Sequence, residues 1–130
     1  MINEQYKYSE LTGMIIGAAM EVHSFLGNCF QEVIYQRSLS YEFGLRKIGY
    51  AREVEMNVMY KDLEVGTRRA DILVEDKISV EIKALTSLEP VHLAQAINYL
   101  EAYNLQIGLL INFGDTKLRF HRLENKKYRV

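Results

Sequence analysis

A chain of 130 residues with 48% apolar content has the size and composition of a single folded domain with a sizeable core. A formal net charge of −1 lacks the basic excess of a dedicated, non-catalytic nucleic-acid binder, and 25% charged residues alongside nine tyrosines exclude a disordered chain. One cysteine, Cys29, excludes an internal disulfide and suits a reducing, cytoplasmic setting.

In chain order, Ser9-Glu10-Leu11-Thr12 can cap a first helix whose apolar stripe is Leu11, Ile15, Ala18, Val22 and Phe25. Gly27-Asn28 ends it. A second helix is expected from Phe30 to about Ile48, with Phe30, Ile34, Tyr41 and Leu45 on one side and Gly49 as its stop. Three strands follow, from Arg52 to Tyr60, from about Val65 to Glu75, and from Ile78 to Ala84. Pro90 opens a helix reaching about Tyr103, since proline is tolerated in a helix's first turn. The apolar run from Gln106 to Phe113 reads as a strand buried on both sides. Asp115-Thr116 turns into a last strand, Lys117 to Leu123, and the tail is polar. The order αα-βββ-α-ββ implies a mixed α/β fold, a central sheet flanked by helices.

The apolar segment Met14–Met20 is preceded by Asn3, Glu4 and Glu10 rather than by basic residues, so no signal peptide is expected. It is also too short to span a bilayer, and no membrane role is expected.

The chemistry concentrates in the second and third strands. A period of two puts Glu81 and Lys83 on one face of the third strand and Ile78, Val80 and Ile82 on the other. Only Asp76-Lys77 separates the two strands, so a tight hairpin would bring Asp71 towards Glu81. Two carboxylates and an ammonium converging in this way can hold a divalent cation and orient a water, as phosphodiester hydrolysis requires. Hard oxygen donors without sulfur nearby point to Mg²⁺ or Mn²⁺.

Asp71 followed by Glu81-Ile82-Lys83 resembles the signature of the PD-(D/E)XK nuclease superfamily, with Ala70 where the superfamily's name has proline. More narrowly, Glu21-Val22-His23, the segment Leu26–Tyr35, the segment Pro90–Leu100 and the segment Gly108–Gly114 are similar to the small bacterial and archaeal GxxExxxR family. The similarity runs from about Leu11 to Arg122. The eponymous Gly-x-x-Glu-x-x-x-Arg reads here as Cys29, Glu32 and Gln36, so Glu32 alone is kept. The resemblance implies a restriction-endonuclease-like αβββαβ core, to which this chain adds an N-terminal helix and a C-terminal strand.

It further implies metal ligation by Asp71, Glu81 and the Ile82 carbonyl, with Lys83 orienting the attacking water. Glu32 joins them as a further ligand or serves its helix's N-terminus as an acid favoured by the dipole. The superfamily's RecB-like branch carries Gln-x-x-x-Tyr on the helix beside the catalytic strand, here Gln95 and Tyr99, with His92 on the same side. Gln95 would hold the acid or a phosphate, and Tyr99 would pack on it or stack a base. Arg68 and Arg69 beside the candidate acid, and Lys117, Arg119 and His121 alternating on one strand face, are candidates for tracking a phosphate backbone, and solvated faces explain them equally well. His23, on the first helix, is expected to be structural.

Taken together, these residues point to a Mg²⁺- or Mn²⁺-dependent nuclease acting on nucleic acid, DNA rather than RNA. The rival is a non-catalytic nuclease-like module that binds nucleic acid or a protein, and a homodimer is a third arrangement the chain would permit.

Overall fold

The computed structural model describes residues 8–130, so Asn3 and Glu4, used above to argue against a leader, lie outside the described residues. Eight elements follow one another: α1 (Ser9–Leu26), α2 (Glu32–Leu45), β1 (Tyr50–Tyr60), β2 (Leu63–Val74), β3 (Ile78–Lys83), α3 (Pro90–Tyr103), β4 (Ile107–Asn112) and β5 (Arg119–Glu124). The order and type of every element match the sequence pattern. Five strands form one sheet in the order β1-β2-β3-β4-β5, antiparallel except for the central parallel pair β3–β4, which α3 connects.

Alternation along the inner strands divides the core in two. Ile78, Val80 and Ile82 of β3, with Leu109 and Ile111 of β4, face α1 and α2 and pack on Ile15, Ala18, Val22, Tyr35, Leu39 and Phe43. Leu110 and Leu123 face the other way, onto Ala96 and Leu100 of α3. The result is a three-layer α/β/α arrangement, and β4 is buried throughout, as its apolar run requires.

Several helix details differ from expectation. α1 starts after Tyr8, which has left-handed backbone, and Ser9 makes no side-chain cap; Thr12 Oγ1 instead donates to the Ser9 carbonyl. Phe25 is 85% exposed, because the buried row of α1 continues onto Leu26. α2 ends at Leu45 rather than near Ile48, with Lys47 at φ 60° turning the chain. Its buried face is Tyr35, Gln36, Leu39, Ser40 and Phe43, whereas Tyr41 and Leu45 are exposed. β2 begins at Leu63, so that Lys61-Asp62 alone joins it to β1. α1 does end at Gly27, whose φ of 76° suits glycine, and Pro90 does open α3.

Beyond β4 the chain closes against β3 through one side chain. Asn112 Oδ1 accepts from Leu85 N–H and Gly114 N–H, while Asn112 Nδ2 donates to the Leu85 carbonyl. Gly114 passes so close to Ala84 and Leu85 that a Cβ there would collide with their backbone. The Asn112 amide therefore fixes how β3 ends. Asn112→Ala would leave these partly buried backbone groups unpaired, and urea denaturation should show a loss of about 2–4 kcal/mol, two to three hydrogen bonds' worth. A loss within about 0.5 kcal/mol, the range of an ordinary surface change, would contradict this role.

Candidate active site

The site arises where β2 parts from β3. Their antiparallel pairing runs only from Val74–Ile78 to Ile72–Val80 and stops there, although β2 continues to Leu63 alongside β1. The next residues, Asp71 and Glu81, therefore face an opening. In place of the lost ladder bond, Asp71 Oδ2 accepts the Ile82 N–H at 2.8 Å. Because a strand residue's N–H and C=O leave on the same edge, the Ile82 carbonyl also faces this opening. Lys83 has its own carbonyl turned to β4, where Phe113 N–H donates to it.

Asp71 is held from the α2 side as well. Gln36, at the position where the GxxExxxR pattern has arginine, is buried and donates its Nε2 to the Asp71 carbonyl at 3.0 Å. Ser40, one turn on, closes onto the Gln36 carbonyl at 2.8 Å. A cavity of about 290 Å³ lies here, lined by Glu32, Val33, Gln36, Glu53, Arg69, Asp71 and Ile82. On the opposite face a narrower cleft is lined by Glu81, Lys83, His92, Gln95, Ala96, Tyr99 and Leu110. The Asp71 and Glu81 carboxyls are hydrogen-bonded to each other, so the pair joins the two hollows through the split.

Most of the predicted site residues thus fall on one of the two hollows. Glu32, Asp71, Ile82 and Arg69 share the first; Glu81, Lys83, Gln95, Tyr99 and His92 share the second. His92 has a structural duty too, since its Nδ1 accepts the Glu89 N–H at 2.9 Å at the start of α3. Lys117 and Arg119 line neither hollow. Lys117 precedes β5, and Arg119, on that far edge strand, pairs with Asp115 at 3.2 Å, so the structure does not bring these two to the acids. His23 Nε2 donates to the Asp115 carbonyl at 3.0 Å, which ties α1 to the chain just beyond β4.

One residue was missed. Glu53 lies between the Arg52–Ile72 and Val54–Ala70 pairs, which puts it across from Asp71, with its backbone at φ 52°. A non-glycine residue in that region is strained by about 1–3 kcal/mol. Of the two arginines beside the candidate acid, Arg68 is the one that reaches α3: its Nη2 donates to the Tyr99 hydroxyl, while Arg69 sits 3.8 Å from Glu53.

Burial dominates the electrostatics. It raises the Asp71 carboxyl above its ordinary value, partly offset by the Ile82 N–H, the bond from Glu81 and the Lys83 charge. Glu81, buried and beside the Asp71 charge, is pushed up to about 8. Among the described residues, no three His, Cys, Asp or Glu side chains gather closely enough to cage an ion. The donor set nevertheless fits a small hard cation, because Mg²⁺ keeps several waters and is commonly held by one or two carboxylates. Two buried carboxyls competing for one proton are the groups such a cation would relieve.

The same coupling predicts a pH dependence in chelator. Glu81 binds a proton more tightly folded than unfolded, so its stabilisation is complete below about pH 4.5 and is lost as the pH rises through about 8. Asp71, also raised, acts in the same direction. Denaturation of the metal-free protein should show stability falling with pH across this window, by at most about 1.4 kcal/mol per pH unit per proton. Glu81→Gln should flatten the slope. An unchanged slope would overturn the assignment.

No curated protein matches the chain in sequence. A solved structure described as "Crystal structure of SSO0001" superposes with a TM-score of 0.58 at 20% identity, over 93% of this chain and 60% of that one. At that identity the likeness shows the fold, and this chain spans three-fifths of that protein's length. Residues 9–123, nearly all the elements described above, match the PD-(D/E)XK nuclease superfamily. With its lone acid, Glu-Ile-Lys strand and helix-flanked mixed sheet, the chain belongs to the PD-(D/E)XK nuclease superfamily.

Proposed function

We propose that the protein is a metal-dependent nuclease that hydrolyses phosphodiester bonds in nucleic acid, with DNA as the substrate. The observation that carries this reading is the convergence of Asp71, Glu81 and Lys83 at the split between β2 and β3, with the Asp71 carboxylate fixed by the Ile82 N–H. Asp71, Glu81 and the Ile82 carbonyl would hold Mg²⁺ or Mn²⁺, with Glu32 on the rim of the adjoining cavity. A cation held there supplies Lewis acidity and neutralises charge on the phosphate.

This chain's own groups do the rest. Lys83, half-buried beside Glu81, orients a water for in-line attack and offsets the charge that develops on the phosphate oxygens. The water oxygen bonds to phosphorus, the P–O ester bond breaks opposite it, and the departing oxygen takes up a proton. Gln95, which lines the same cleft, would hold a phosphate oxygen. Similarity to the GxxExxxR family supports a role for Glu32 in this site. Gln36, at the pattern's arginine position, positions Asp71 through its main chain.

A second reading has an observation of its own. Glu81, pushed up to about 8 by burial and the neighbouring Asp71, and the lack of a three-ligand cage among the described residues also suit a nuclease-like module that binds nucleic acid without cutting it. Incubation of circular and linear DNA, single-stranded DNA and RNA with Mg²⁺ or Mn²⁺ separates the two. The wild type should cut, and Lys83→Ala should lose at least about a hundredfold in rate, as for removal of a transition-state donor, while its circular dichroism and melting stay unchanged. Cutting retained by Lys83→Ala would remove Lys83 from the chemistry. No cutting of any substrate by the wild type would establish the non-catalytic reading.

A further inference from the structure

Arg68 is held unlike its neighbours. Its guanidinium carbon lies 4.0 Å from the centre of the Tyr99 ring, and its Nη2 donates to the hydroxyl of the same tyrosine. One turn along α3, the Tyr103 ring lies parallel to that of Tyr99, 6.1 Å between centres and 4° between planes. The Tyr103 hydroxyl is shielded from water and has no hydrogen-bond partner among the described residues. Arg46, Arg69 and Arg119 each pair with a carboxylate, from Glu42, Glu53 and Asp115. Arg68 is exposed and has no acid within ion-pair distance among the described residues.

An exposed arginine ordinarily gives up much rotamer freedom when it binds an anion. Stacked on Tyr99 and tethered to its hydroxyl, Arg68 has already given that up. Only one of its five N–H donors is spent on the tyrosine, so the planar fork that matches a phosphate's paired oxygens remains free. Tyr99 also lines the cleft shared by Glu81 and Lys83, so an anion on Arg68 would sit beside the catalytic groups and not on them.

We propose that Arg68, pre-positioned by the Tyr99–Tyr103 pair, binds a backbone phosphate next to the scissile one in a nucleic-acid strand. The proposal rests on the nuclease reading only for which phosphate is cut. Fluorescence anisotropy of a labelled single-stranded oligonucleotide in chelator reads binding with no cleavage. Arg68→Ala should weaken binding about tenfold, the equivalent of about 1.4 kcal/mol, and should reduce the slope of log affinity against log salt by about 0.7, the share of one phosphate on a single strand. Arg68→Lys, which keeps the charge and loses the fork, should fall between, as should Tyr99→Phe. Lys77→Ala, in the turn at the opposite end of β3, should bind as the wild type does. In a series of oligonucleotides each neutralised at one phosphate by methylphosphonate, one position should weaken wild-type binding and make no further difference to Arg68→Ala.

Arg68→Ala binding like the wild type, or a methylphosphonate penalty that persists in it, would overturn the proposal even if the protein cuts DNA. Arg68-dependent binding by a protein that cuts nothing would support the proposal and remove the nuclease reading. A wild type that binds no oligonucleotide in chelator would overturn the proposal and leave the nuclease reading to the cleavage assay.

Discussion

The parting of β2 from β3 after the Ile72–Val80 pair is the constraint on which the site depends. A ladder that continued would bury Asp71 and Glu81 as an ordinary cross-strand pair and use the Ile82 N–H for strand pairing. Because it stops, the main chain there needs a new partner, and the Asp71 side chain provides it. One carboxylate thus replaces a strand bond and is aimed by doing so. On its other edge β3 stays paired to β4 up to Lys83–Asn112, so the acid and the lysine stand on a strand that is firmly anchored on one side and open on the other.

Packing keeps that strand still. Val80 and Ile82 alternate with Glu81 and Lys83 and sink into the layer formed with α1 and α2, while Leu110 and Leu123 meet α3 on the other face. Asn112 and Gly114 then fix the end of β3 against the end of β4. The polar groups of α2 continue the same design: Ser40 holds Gln36, and Gln36 holds the Asp71 main chain. The acid is therefore fixed through its side chain from β3 and through its carbonyl from α2. Such support on both sides is what preorganised catalysis requires.

Much of this was legible in the sequence. Glycine, proline and alternation located all eight elements in order, and the acid-x-lysine segment falls on β3 as its alternation implied. The failures have physical causes. The buried face of α2 contains Gln36 and Ser40, whose hydrogen bonds make them compatible with burial, so a stripe drawn through apolar residues alone picks Tyr41 and Leu45 and lands on solvent. Glu53 escaped for another reason. Counting back from the two-residue turn at Lys61-Asp62 sets Arg52 against Asp71, but the register slips by one between Val58 and Met59 and brings Glu53 there instead. Lys117 and Arg119 looked like a basic strand face. Only the pairing of β5 onto β4 shows that they lie two strands from β3 and that Asp115 occupies the arginine.

The hairpin of β1 and β2 reaches well past the sheet. From Val54 to Arg69 its residues are exposed or half-exposed, and beyond Asp71 no third strand among the described residues joins it. Two strands alone are marginal in water, so this ribbon belongs to the loosest part of the molecule and would fray while the inner strands remain closed. The division falls between two sets of candidate site residues: Glu81 and Lys83 stand on β3, paired to β4, whereas Glu53 and Arg68 lie at the root of the two-stranded arm, which Arg68 ties to α3 through Tyr99. Bending of the arm beyond that tie would open or narrow the space beside Asp71 while β3 stays fixed against β4.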